Sequence, residues 1–279
     1  MALFRFFVYS NLFIAVCAVL MVIQTDQLVH ARVTPADLYF IAFVFFSTIC
    51  SYSFHWYLSS PSVLSSPRIA WQHRHHSLHF IFFIAGLIGS AIFFLYLRDH
   101  WFWLLVSAII TFLYTAPKIP HPYFRVLRKI ALGKTIFLAF VWMYVTTILP
   151  VLVSDRPWQP GFFLFIISRF FLIYAICILF DYRDRADDKI KGIRSLITWL
   201  DEKGIRNLFI FSLLVFTVAT ASMLLYDYSL LAVLILIVPG VIVALLFNYA
   251  RRNFADMLYY FALDGLMALS AVLMLVTGI

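Results

Sequence analysis

Charge is scarce in this sequence: only 12% of its 279 residues are Asp, Glu, Lys or Arg, where soluble globular domains carry about 25%. So little charge cannot coat a globule of this size, which excludes a soluble enzyme. Acids are the scarcest, with twelve Asp and one Glu against 21 Lys and Arg. Glycine is also short, at nine residues, while Phe, Tyr and Trp number 31, 15 and 7; that balance excludes low-complexity and disordered chains. The three cysteines, Cys17, Cys50 and Cys177, each lie inside a long apolar run. They read as small hydrophobes, with no spacing suited to a metal site or a disulfide framework. What fills the chain is apolar residues, 64% of the total with a mean hydropathy of +0.97. They run from end to end, which excludes a single-span anchor and implies one polytopic transmembrane domain over residues 1–279. The N-terminal run is too long for a signal-peptide core and lacks a small-x-small cleavage site, so a retained first helix is expected.

A spanning helix needs about 20 mostly apolar residues. Nine runs qualify, over 4–24, 36–58, 79–97, 100–116, 132–153, 161–180, 205–226, 229–249 and 254–278. The connectors carry the breakers Pro61, Pro67, Pro117, Pro120, Pro122, Pro157 and Pro160. The runs are continuous rather than alternating, which argues against a β-barrel. Charge tests the number independently: 17 cations fall on the N-terminal side and even connectors, and three (Arg32, Arg98 and Arg156) on odd ones. That bias predicts a cytoplasmic N-terminus and cytoplasmic even loops. It also accounts for the formal charge of +8 without a nucleic-acid partner.

Four of the thirteen acids crowd into residues 181–196, which read DYRDRADDKIKGIRSL at the end of the sixth run. At about 100° per residue, Asp181, Asp184 and Asp188 fall within about 60° of one another on a helix, while Asp187 points elsewhere. Three carboxylates on one face repel one another unless they share a cation. Magnesium suits them, since it takes one or two carboxylates and fills its shell with water and phosphate oxygens. The competing reading is a solvated loop whose acids pair with Arg183, Arg185, Lys189 and Lys191.

The pattern Asp-x2-Asp-x3-Asp-x3-Gly, continued through Gly192 to Leu196, resembles the second aspartate-rich motif of the UbiA superfamily of intramembrane prenyltransferases. Tyr114 to Lys118 resembles that family's Tyr-x3-Lys. The resemblance implies an all-α integral membrane protein of nine transmembrane helices in a UbiA-like bundle, with its active-site loops cytoplasmic, in a bacterial inner membrane. It implies transfer of a polyprenyl group from an allylic diphosphate to a small, aromatic acceptor. Asp181, Asp184 and Asp188 would be catalytic by holding Mg2+, Lys118 would hold the diphosphate with Tyr114 alongside, and Lys134 and Arg128 would be near enough to join a phosphate clamp. Without the resemblance, Lys118 and Tyr114 read equally as a snorkelling lysine and an interfacial tyrosine.

The family's other aspartate-rich motif, expected at the end of the second span, has no counterpart. Residues 49–66 read ICSYSFHWYLSSPSVLSS, and no acid occurs between Asp37 and Asp99. His55, Arg68, His73, Arg74, His75, His76 and His79 stand there instead. They either hold a diphosphate directly in place of one metal or face anionic headgroups as a basic juxtamembrane loop. The histidines raise di-iron chemistry, but too few of them fall on one side for the eight or so ligands it takes; a single zinc or copper site stays open. Arg169 and Asp264, both inside spans, are expected to form a buried pair, or else to belong to an acceptor pocket with Asp264 as proton acceptor. The rival to catalysis is a UbiA-like protein that binds lipid or quinone without reacting. A transporter lacks its usual signs, there being no inverted repeat.

Overall fold

A computed structural model describes residues 2–29, 34–59, 66–119, 121, 123, 134–190 and 195–279. Arg32, Arg128, Lys191, Gly192 to Arg194 and the breakers Pro61, Pro120 and Pro122, all within the stretches named above, lie outside these. All regular structure among the described residues is helical, and the chain is an all-α membrane protein. Eight helices are long and apolar enough to cross a membrane, and a bent pair at the start makes a ninth.

That pair is α1 (Ala2–Tyr9) and α2 (Leu12–Leu28), bent by 65°. The first run was expected to be one straight span. It breaks because Asn11 takes a left-handed conformation, φ 71°, which Asn tolerates better than most side chains. Helix α3 (Pro35–Tyr57) starts on a capping box, Thr34 accepting from Asp37 N–H while the Asp37 carboxylate accepts from Thr34 N–H, with Pro35 at its first position. The short α4 (Pro67–Arg74) is capped by Ser66 and leads into α5 (His76–Tyr96). A tight turn at Arg98–His100 joins α5 to α6 (Trp101–Thr115). Helix α7 (Lys134–Val153) contains a π-helical stretch, Tyr144–Ile148, whose carbonyl at Thr146 accepts a 2.7 Å hydrogen bond from the Thr25 hydroxyl of α2. Neighbouring side chains commonly satisfy backbone groups that such a bulge frees.

Helix α8 (Pro160–Ile190) has 31 residues, about 46 Å at 1.5 Å per residue, against a hydrocarbon core about 30 Å thick. The acids expected at the end of the sixth span therefore continue the same rod past its apolar part. Residues 172–179 of α8 are buried on every side, which marks the helix as the centre of the bundle. After a single turn at Leu196–Trp199 come α9 (Glu202–Ser222), α10 (Leu230–Ala250) and α11 (Leu258–Thr277), the last opening with a π-helical stretch, Leu258–Leu263. Helices α5 and α6 are peripheral, and Ile81, Leu87, Ile88, Leu95, Phe102 and Ile109 are exposed along them, as suits a face against lipid tails.

The expected Arg169–Asp264 pair is not made. Arg169, 3% exposed, donates to Gln24 Oε1 of α2 at 2.6 Å and to the Met267 carbonyl of α11 at 3.2 Å. Its guanidinium also lies 4.9 Å from the Phe165 ring. A neutral amide and a carbonyl solve the problem of an intramembrane cation here, and they tie three helices at one level. Double-mutant cycles should give a coupling of about 1 kcal/mol or more between Arg169 and Gln24, and none beyond about 0.5 kcal/mol between Arg169 and Asp264, measured by thermal unfolding in detergent.

Helices α3 and α5 approach closely because Gly86 has no side chain. A Cβ there would lie 2.6 Å from the Cys50 nitrogen and 2.8 Å from the Phe46 carbonyl oxygen, backbone atoms that cannot rotate away. Small residues play this part wherever membrane helices meet backbone to backbone. Gly86→Ala should cost roughly 1–3 kcal/mol of stability. Gly265→Ala should cost less, since its Cβ would meet only the Phe13 ring at 3.2 Å; the same unfolding measurement compares them.

Candidate functional site

The aspartate cluster is held by charges from other helices. Lys134, the first residue of α7, places its Nζ 3.8 Å from Asp181 Oδ1 and 3.5 Å from Asp188 Oδ2. The neighbouring Thr135 hydroxyl donates to the other Asp181 oxygen. Seven residues apart on α8, the two carboxylates share one face and one ammonium, as helical spacing requires. Asp184 is turned aside to Arg183, which binds it through two nitrogens at 2.8 and 3.3 Å. Arg183 also donates to the Tyr260 hydroxyl at 2.8 Å and lies 4.6 Å from the Tyr259 ring. The π-helical opening of α11 presents these two tyrosines, Tyr259 donating in turn to the Ala250 carbonyl at 2.8 Å.

The reading in which the acids pair with neighbouring cations of α8 holds for Asp184, which Arg183 binds, and not for Asp181 and Asp188, which Lys134 of α7 holds. Arg185 is taken by Glu202, at 2.6 Å, and by the Leu200 carbonyl. Glu202 also pairs with Arg251, whose guanidinium stacks on the Tyr182 ring. Asp181, Asp187 and Asp188 are buried, while Lys189 is exposed.

Tyr114 and Lys118 meet the end of α3. The Tyr114 ring stacks on His55 with centroids 5.4 Å apart, and the Thr115 hydroxyl is 3.5 Å from His55 Nδ1. Lys118 donates to the Ser59 hydroxyl at 2.5 Å and stands 5.6 Å from the Trp56 ring centroid. Arg68 faces the same tryptophan. Its guanidinium carbon is 3.6 Å from the Tyr260 centroid, 4.7 Å from Trp56 and 6.0 Å from Tyr9. Its Nη2 donates to Asn11 Oδ1 at 3.1 Å, and its backbone N–H donates to the Asp256 carboxylate at 2.7 Å. Burial pulls the Arg68 pKa below its ordinary value, from a height that leaves the group charged.

The other basic residues part from Arg68. Arg74, His73 and His76 are exposed, which fits the headgroup reading. His75 stacks on Trp71 and shares a 2.8 Å hydrogen bond with its carbonyl, and the buried His79 stands edge-on to the same ring. Among the described residues no three His, Cys, Asp or Glu side chains form a metal-ligand group, whether histidines or Asp181, Asp184 and Asp188. The donor chemistry nevertheless suits magnesium at one place: two carboxylates already gathered around a single cation.

Sequence reasoning missed Asn11, Trp56, Thr135, Asp256 and Tyr260, while it named Arg183 as a partner of the acids, as it is for Asp184. Only Asn11, a polar residue in an apolar run, carried a signal. A model described as the UbiA prenyltransferase family matches residues 74–262. No curated protein and no solved structure matches the chain.

Lys134→Met should destabilise the protein, because it leaves two carboxylates facing each other. The expected cost is about 1–3 kcal/mol, below that of a fully buried pair because the lysine side chain is 32% exposed. Lys134→Arg should retain most of the stability, read as thermal unfolding in detergent.

Proposed function

The chain belongs to the UbiA prenyltransferase family, and on that premise we propose that it transfers a polyprenyl group from an allylic diphosphate to a small, aromatic acceptor. The observation that carries this reading is the pairing of Asp181 with Asp188 around Lys134, close in the fold to the cations a diphosphate needs. In the reaction the prenyl carbon–oxygen bond breaks and its electron pair leaves on the diphosphate. The acceptor forms the new bond and gives up a proton.

Asp181 and Asp188 would hold magnesium, which when bound supplies charge to neutralise the departing diphosphate, while Asp184 stays with Arg183. Lys134 holds the first two carboxylates together. Lys118 and Lys134 are the ammonium groups offered to phosphate oxygens, with His55 and Tyr114 forming the wall beside them. Trp56, Tyr260 and Tyr114 present π faces that can stabilise an allylic cation in surroundings poor in water. Asp264 is the proton acceptor in this reading. Arg74, exposed on α4, suits membrane phosphates better than the substrate. The bias of 17 cations to three supports a bacterial inner-membrane protein with this end of the bundle in the cytoplasm.

One observation favours a second reading, a lipid- or quinone-binding protein without chemistry: no acid lies between Asp37 and Asp99. Pyrophosphate release decides. Purified protein given geranylgeranyl diphosphate, magnesium and a hydroxybenzoate or naphthoate acceptor should release pyrophosphate. Asp181→Asn and Asp188→Asn should lower the rate about 100-fold or more while thermal unfolding shows them folded. Diphosphate bound by wild-type protein but never cleaved would establish the second reading.

A further inference from the structure

Arg68 is a buried charge with no carboxylate against its guanidinium, Asp264 and Asp256 acting on it from farther off. It is 3% exposed, and no carboxylate among the described residues lies within 4 Å of its guanidinium. Asp256, the acid that touches the residue, accepts from its backbone N–H. The one side-chain hydrogen bond shown goes to the neutral Asn11 amide, and Nε has no partner. Three aromatic rings soften the burial of a cation but do not neutralise it, and a buried ion left unpaired is costly. The arrangement is nonetheless built for it: Asn11 sits at the 65° break between α1 and α2, and the π-helical start of α11 brings Tyr260 to 3.6 Å.

Two more cations share the same rings. Lys118 is on Trp56 and Arg183 is on Tyr260, at 5.6 and 4.7 Å. Arg183 is paired with Asp184. Such a group suits an anion with more charge than one divalent metal can cancel, and a diphosphate is such an anion. Metal ligands are lacking on this side, since no acid occurs between Asp37 and Asp99.

We propose that Arg68 is a metal-free phosphate subsite, its guanidinium taking an oxygen of the diphosphate's distal phosphate on the Trp56 and Tyr260 rings while magnesium is confined to the Asp181 and Asp188 side. This rests on the prenyl-diphosphate reading above and adds to it a division of labour between one metal and one fixed cation. A planar, permanently charged fork is suited to phosphate in a way that a lysine is not.

The test is binding of farnesyl diphosphate and farnesyl monophosphate to full-length protein in phosphatidylcholine nanodiscs, with magnesium and then with chelator. Wild-type protein should keep measurable diphosphate affinity under chelation, and Arg68→Gln should lose it. With magnesium present, Arg68→Gln should weaken diphosphate binding by about 10–100-fold and monophosphate binding by much less; Arg68→Lys should fall between. Arg68→Gln binding as wild type in both conditions would overturn the subsite and leave the prenyl-diphosphate reading standing. No binding by wild-type protein in any condition would overturn both. If the Gln variant does not fold, Arg68→Lys decides: wild-type affinity under chelation overturns the proposal, and reduced affinity supports it. Phosphatidic acid in the nanodiscs displacing the diphosphate from wild-type protein and Arg68→Lys alike would assign the guanidinium to a lipid headgroup and overturn it as well.

Discussion

Ionised groups at the edge of a hydrocarbon core persist only where counter-charges reach them, and that constraint organises one whole end of this bundle. Helix α8 runs past its apolar length and carries its acids with it. Three of the four are answered here: Asp181 and Asp188 by Lys134 from α7, and Asp184 by Arg183, itself held by Tyr260 of α11. Arg185 of α8 reaches Glu202 of α9, which also takes Arg251 from just beyond α10. The central helix is thereby tied to four others through charge at the end where its apolar packing runs out. A rod that merely ended at residue 180 would need none of these ties and would offer no site.

The same constraint has a different solution at mid-membrane. Arg169 meets Gln24 and a backbone carbonyl rather than an acid. Neutral acceptors leave its charge uncancelled but satisfy its geometry, and Gln24 accepts a further bond from Ser270 at 3.2 Å. Arg169 therefore acts as a staple between α2, α8 and α11. Arg68 differs in that its side chain has one hydrogen-bond acceptor where Arg169 has two, and three aromatic rings about it where Arg169 has one. Fewer acceptors and more rings suit it to the phosphate-binding part proposed above.

Hydropathy and charge bias made the helix number legible because each span is an independent statement about some 20 consecutive residues. The spacing of Asp181 and Asp188 was legible for a similar reason: helical periodicity is local. The partners were not, since Lys134, Gln24 and Tyr260 reach their contacts across 47, 145 and 192 residues of chain (to Asp181, Arg169 and Arg68). The failure at Arg169 is instructive. Pairing the two ionised residues within spans ignored neutral acceptors, and Gln24 had no feature that set it apart from any polar residue in an apolar run. The π-helical stretches were equally silent, because nothing in YVTTI or LYYFAL distinguishes a five-residue turn from an ordinary one.

The family match begins at residue 74, so Asn11, His55, Trp56 and Arg68 all precede it, whereas Tyr114, Lys118, Lys134 and the aspartates fall within it. The part of the chain that carries the likeness supplies carboxylates and lysines; the part before it supplies a buried guanidinium and aromatic rings. A divalent ion and a guanidinium are alternatives at one wall, because each repels the other at short range. A chain with Arg68 beside Trp56 and Tyr260 therefore has no use for acids on α3, and acids there would pair with Arg68 and cancel it. On the proposal above, the missing carboxylates and the buried arginine are one feature, a wall whose charge is fixed in the protein instead of borrowed from a metal.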